Sequence, residues 1–140
     1  MLNITYSHLC EKAFLSQNGN LNLIGIFEKI ATPKFPMAFP QLSIVTSLQG
    51  KPGKHQLTIK IVKNKDDKEM IKAINLNINI QAPKEGNTDQ IQNIRIIGDI
   101  NNLQIDETGA YEVQIFIGEE KAYAIPFSVH KVEKPIPEGR

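Results

Sequence analysis

Ile74-Asn75-Leu76-Asn77-Ile78-Asn79-Ile80-Gln81 is the stretch on which the fold turns: four apolar residues alternate without exception with four amides. A period of two puts Ile74, Leu76, Ile78 and Ile80 on one face of an extended chain and the amides on the other. That is the pattern of a strand with one side in a core and the other in water. His55 to Val62 repeats it, with Leu57, Ile59 and Ile61 set against Thr58 and Lys60. One face is again buried and one wet, as in antiparallel sheets.

Outward from this pair, turn signals and strand signals take turns. Asn64 to Lys68 reads as a polar turn, so the alternating strand is taken to run from Glu69 to Gln81, and Lys51-Pro52-Gly53-Lys54 is a turn that separates Gln41–Gln49 from the strand at His55. Ala31 to Pro40 carries Pro33, Pro36 and Pro40, which lack a backbone donor, and predicts an ordered loop crossing between sheets. Nearer the start, Leu2 to Cys10 is a strand, with a break before Phe14 and Leu15; Gln17-Asn18-Gly19-Asn20 closes a hairpin, and Asn20 to Ile30 returns. On the return, Leu21, Leu23 and Gly25 share one face, Asn22, Ile24 and Ile26 the other, and Gly25 marks a bulge or a close backbone approach.

Downstream, Ala82 to Asp89 is a loop. Ile91–Ile97 and Leu103–Ile105 extend the sheet, interrupted at Gly98-Asp99 and Asn101-Asn102. A last hairpin joins Ala110–Ile117 to Lys121–Val132 through Gly118-Glu119-Glu120. About eight strands, in a range of about seven to nine, with turns every eight to twelve positions predict an all-β antiparallel sandwich with Greek-key connections. Residues 1–132 form one domain in this reading, and 133–140, with Pro135, Pro137 and Gly139, a flexible tail.

Composition narrows the function. In 140 residues, 41% hydrophobic and 22% charged is ordinary for a globular chain. A net charge of +1, with Arg only at Arg95 and Arg140, supplies neither the field nor the forked guanidinium contacts that nucleic-acid readers use. The Lys, Ile and Asn bias is attributed to the composition of a bacterial genome. Cys10, the single cysteine, excludes an internal disulfide and a thiolate zinc cage and suits a reducing compartment. Met1 to Leu15 lacks the n-region and h-region of a signal, and no run approaches a membrane span, so the expected location is cytoplasmic.

Asp106-Glu107-Thr108-Gly109-Ala110-Tyr111-Glu112-Val113 resembles the corner before the penultimate strand of immunoglobulin-like sandwiches, where a Tyr hydroxyl bonds back to the upstream backbone. The resemblance implies a structural role for Tyr111, Gly109 and Asp106. Val113 stands where antibody domains carry a cysteine, and there is no Trp. Over most of the chain, a first strand ending in Cys10-Glu11, then Leu23-Ile24-Gly25-Ile26-Phe27, the Phe35-Pro36 loop and the final Gly-x-Tyr hairpin resemble a family of small uncharacterised bacterial proteins, a domain of unknown function.

No reactive constellation stands out. His8 and Cys10 share a strand face, as a thiol and its base would, but a lone strand cysteine is more often a small buried hydrophobe and no orienting carboxylate can be placed. His55 and His130 are isolated. Asp66, Asp67, Glu69, Asp99, Asp106 and Glu107 offer carboxylates for calcium, against which stand Lys65 and Lys68 and the bland reading of solvated turns. The lysines from Lys51 to Lys72 lack the interleaved aromatics of a stacking platform.

Two segments remain as possible contacts with a partner. Ile74, Leu76, Ile78 and Ile80 lie on an uncharged, Pro-free strand that would recruit another chain at a sheet edge, and would be structural in a sheet centre. Phe35, Met37 and Phe39 lie on a loop that either exposes an apolar patch or plugs the core. The expectation is a non-enzymatic protein-binding or scaffold module without cofactors, its partner an unidentified protein or its own copy, neither nucleic acid nor membrane. The alternatives are a small-ligand or carbohydrate-binding sandwich, which the 6% aromatic content disfavours, and a hydrolase using Cys10 or a carboxylate pair.

Overall fold

The computed structural model describes residues 2–82 and 90–133. Its strands are β1 (Asn3–Leu15), β2 (Leu21–Ile26), β3 (Lys29–Thr32), β4 (Met37–Gly50), β5 (Gly53–Lys63), β6 (Lys68–Glu69), β7 (Ile74–Ile80), β8 (Gln92–Ile105), β9 (Gly109–Ile117) and β10 (Glu120–Lys131). One sheet has the order β2-β1-β4-β8; the other runs β3-β10-β9-β5-β6, with β7 also paired to β5. The fold is an immunoglobulin-like β-sandwich: β4 and β8 pair in one sheet, β5, β9 and β10 form the heart of the other, and β3 runs parallel to β10. Ten strands are present among the described residues, more than the expected seven to nine, because the chain uses two very short ones, β3 and β6.

The core lies between the sheets. Leu9, Leu42, Ile44 and Leu48 from the first meet Leu57, Ile61, Val113 and Ile115 from the second, all at most 1% exposed. Alternation along each strand sends these residues inward and their neighbours to water. Inside this core Ser7 and Thr46, facing one another across β1 and β4, hydrogen-bond through their hydroxyls at 2.9 Å, so neither is left unpaired.

Five boundaries differ from the sequence reading, and where a local breaker is overridden the reason is tertiary pairing. The run Asn20 to Ile30 is two strands: the chain leaves the first sheet at Phe27-Glu28 and resumes as β3 on the second, in parallel with β10, so the sandwich is not wholly antiparallel. Phe27 anchors that crossing, its N–H donating to the Leu9 carbonyl at 3.1 Å and its ring 5.4 Å from that of Phe39. Pro40 falls inside β4, where residues 37–41 pair only with β8 and a missing N–H costs no second ladder. Finally β8 runs unbroken through Gly98-Asp99 and Asn101-Asn102, held along its whole length by β4. Strand β1 likewise reaches Leu15 without the expected break, and the alternating strand starts at Ile74, not Glu69.

The loop expected at Ala82 to Asp89 lies, beyond Ala82, outside the described residues, and so do residues 134–140 of the expected tail. No helix among the described residues is long and apolar enough to cross a membrane.

Candidate functional site

The arm formed by β1 and β2 is built by its turn. The Gly19 N–H donates to the Ser16 carbonyl and the Ser16 N–H to the Asn20 carbonyl, both at 2.8 Å, while Gly19 takes φ +80°. The strands then pair Leu15 with Leu21, Ala13 with Leu23, Lys12 with Ile24 and Cys10 with Ile26. At Gly25 the backbone is at φ +68°, and a Cβ there would fall 2.6 Å from the Glu11 carboxylate, so glycine allows both the kink and the close approach.

The two faces of this arm have different fates. Ala13, Leu21 and Leu23 fold against Cys10, Val45, Tyr6 and Ile97, making a small second cluster on the solvent side of the first sheet. Arg95 on β8 pins the turn there, its guanidinium donating to the Gly19 carbonyl at 2.9 Å. The other large apolar residues of the arm stand exposed, Phe14 and Ile24 on the opposite face and Leu15 at the end of the same one. Of the five large hydrophobic residues exposed on the described surface, four stand on this arm: Phe14 at 41%, Leu15 at 53%, Ile24 at 51% and Ile26 at 61%. Among the described residues strand β2 is also the last in its sheet, and its six residues carry neither charge nor Pro.

The residues singled out from the sequence sit elsewhere. Strand β7 pairs only with β5, so it is an edge among the described residues. Its apolar side chains nevertheless face inward: Ile80 is 3% exposed, and Ile74, Leu76 and Ile78 pack against the core, with Asn75 accepting from the Thr58 hydroxyl at 2.9 Å on the wet face. Any contact through β7 would therefore use its backbone and its asparagines. Phe35, Met37 and Phe39 are half-buried against the same core, Met37 opposite Ile105 and Phe39 opposite Leu103. Phe14, Leu15, Ile24 and Ile26 were missed, although the sequence carries a signal: Leu21-Asn22-Leu23-Ile24-Gly25-Ile26 is apolar on both faces, and a hairpin at the end of a sheet has only one to bury.

At the corner, the Tyr111 hydroxyl donates to the Glu107 carbonyl at 2.6 Å, its ring stacked on Phe127 at 5.4 Å. Burial pushes the phenol's pKa up. Gly109 has φ +146°. Asp106 is exposed, and its neighbour Glu107 carries the corner's charge, accepting from the Lys63 ammonium at 2.5 Å. That bond holds the Glu107 carboxyl below its ordinary value and Lys63 above its own.

Chemistry finds little to work with. Cys10 is fully buried, its Sγ 3.4 Å from the Lys12 carbonyl and 3.7 Å from that of Ser43, and burial pushes its thiol pKa up. A thiol so placed is a weak nucleophile. His8 lies on the same side of the sheet but against Tyr6, ring centres 5.6 Å apart. The acidic residues are scattered: Asp66 caps the Lys68 N–H at 3.1 Å, Asp99 accepts from Ser43 at 2.6 Å, and no group of three metal-ligating side chains forms among the described residues. A groove of about 560 Å³ on the solvent side of the second sheet is lined by Lys60, Glu69, Gln114, Phe116 and Lys121. There Lys60 sits 5.0 Å over the Phe116 ring and 3.7 Å from Glu69, covering the aromatic face of that groove.

Taken together these features define an immunoglobulin-like sandwich with a rigid corner and an uncovered apolar arm. The chain belongs to the family of unknown function DUF6941, whose model matches residues 5–130. No curated protein matches it in sequence. Among solved structures it is similar to the alkylpurine DNA glycosylase AlkC of Pseudomonas fluorescens bound to abasic-site DNA, at 12% identity and TM-score 0.50 over 92% of this chain and 30% of that one. It is similar to a β-glucosidase of Listeria innocua at 9% identity and TM-score 0.51, over 93% of this chain and 16% of that one. An immunoglobulin-like protein of Pseudomonas aeruginosa matches at 14% identity and TM-score 0.47, over 92% and 96%. The chain thus spans less than a third of the glycosylase and the glucosidase, and what it shares with them is the fold.

Proposed function

We propose that this chain is a non-enzymatic protein-binding module that works in the cytoplasm through the β1–β2 arm. One observation carries the reading: four large apolar side chains, 41–61% exposed, gather on one hairpin that ends its sheet among the described residues. Large apolar side chains exposed together on one element, unlike ones scattered singly over a surface, mark contact sites in proteins. The buried, poorly nucleophilic Cys10 and the dispersed carboxylates favour contact over catalysis. Lysines that meet carboxylates, as Lys60, Lys63 and Lys121 do, favour a polypeptide over a polyanion as partner.

The test is affinity capture from lysate of the native host, comparing the wild type with Ile24→Lys after circular dichroism has shown that the variant folds. A stoichiometric protein, another or an untagged copy of this one, should be retained by the wild type and lost from the variant. Equal recovery with both baits, or with neither, overturns the reading.

A further inference from the structure

We infer that the β1–β2 arm is a hinged flap, laid over the outer face of the first sheet and latched there by Arg95, that opens while both sheets stay folded. The inference goes beyond the contact surface proposed above, because it concerns how the arm moves and not what it meets. Burial shows the cover. A sheet packed on one core commonly keeps its other face wet. On β4 that other face carries Ser43, Val45 and Ser47, which alternate with Leu42, Ile44 and Leu48 of the core. Yet Ser43 and Val45 are 0% exposed and Ser47 7%. Cys10, opposite Ser43 on β1, is buried with them. Ala13, Leu21 and Leu23 of the arm pack over Cys10 and Val45. Arg95, opposite Ser47 on β8, holds the Gly19 carbonyl at the arm's tip. The hairpin therefore lies back along the sheet, from the row of Cys10 to the row of Arg95.

Its attachment is that of a flap. The ladder between β1 and β4 ends at Cys10, and among the described residues β2 pairs with β1 alone. Cys10 and Ala13 are separated by an odd number of residues along the chain, which would set them on opposite faces of a regular strand. Both nevertheless enter one cluster, so β1 turns over between them, at the exposed Glu11 and Lys12. On the facing strand Gly25, at φ +68°, bends the chain at the same level. Just below, the Phe27 N–H bonds to the Leu9 carbonyl and ties both strands to the body. A few residues at the end of an element are enough to serve as a hinge. Beyond it the arm rests on a small cluster and an exposed hydrogen bond, and elements held by so few buried contacts open below the cost of global unfolding. Open, the arm adds Ala13, Leu21 and Leu23 to the apolar side chains it already exposes, and Val45 and Ile97 are bared on the sheet.

Cys10 lies beneath the flap, so its thiol reports opening. The experiment measures its labelling by a disulfide reagent without denaturant, at reagent concentrations to which the rate stays proportional, in the wild type, Arg95→Ala and Tyr111→Leu. Arg95→Ala removes the latch and should speed labelling about fivefold, the loss of one charge-assisted bond at an exposed site. Leu23→Ala, which thins the cover, replaces it should that variant not fold. Tyr111→Leu destabilises the chain from the second sheet, away from the arm. It should lower the melting temperature yet leave the labelling rate within about twofold of the wild type, because local opening does not pass through the corner; Tyr111→Phe stands in if it does not fold. Were Cys10 exposed only when the whole chain unfolds, Tyr111→Leu would speed labelling by about a hundredfold and outrun Arg95→Ala. That result overturns the inference, and so does an Arg95→Ala protein that labels at the wild-type rate.

Discussion

Tyr111→Phe isolates the hydroxyl's bond in the corner from the packing of its ring. The ring stays, stacked on Phe127 in a site 1% exposed, and only the hydroxyl that donates to the Glu107 carbonyl at 2.6 Å is lost. The carbonyl lies on an exposed turn where water can replace the donor, so the loss is that of one neutral hydrogen bond, about 1 kcal/mol. For 140 residues, an unfolding entropy of about 2.1 cal/mol/K per residue makes this a fall in melting temperature of about 3 °C. Tyr111→Leu, which also removes the stacked ring and leaves space between the sheets, should cost about 3 kcal/mol. Calorimetry and urea unfolding of both variants read the two costs separately. If Tyr111→Phe melts within 1 °C of the wild type, the hydroxyl does not hold the corner; if it falls as far as Tyr111→Leu, the attribution of most of the cost to the ring is wrong.

Two further predictions concern ionisable groups. Glu107 is held below its ordinary value chiefly by the Lys63 hydrogen bond, so the unfolded chain binds that proton more readily. Its stabilising contribution is therefore complete above the ordinary carboxylate range and lost as pH falls through the depressed folded value. The stability gap between wild type and Glu107→Gln should be largest near neutrality and close in acid, as urea titrations at pH values down to about 3 would read; a gap independent of pH counts against the pair. The Lys63 contribution has the opposite sense, present below the ordinary lysine value and fading as pH rises through the raised one. Cys10, buried and with its thiol pushed up, should react with a disulfide reagent only as fast as the fold opens, and at once in denaturant. One equivalent consumed in a burst from the native protein would contradict its burial.

Much of this molecule is written locally. Alternation in Ile74–Ile80 and Leu57–Ile61 declares strands with one buried face, Gly19 and Gly118 with positive φ sit in hairpin turns, and the Gly-x-Tyr motif marks the corner. These depend on residues within a few positions of each other, so reading along the chain finds them. What tertiary structure alone decided is pairing over distance. Pro40 sits in a strand because one side of β4 is free there, and β8 passes through Gly98 and Asn101 because β4 supplies partners along its whole length. Sheet order likewise decides which apolar faces are covered. Leu23 and Ile24 are neighbours of similar hydrophobicity, yet one is partly buried against Cys10 and Val45 while the other is 51% exposed, because the arm folds over the first sheet with one face only. No periodicity carries that choice; it depends on where a strand paired to β1 comes to rest in space.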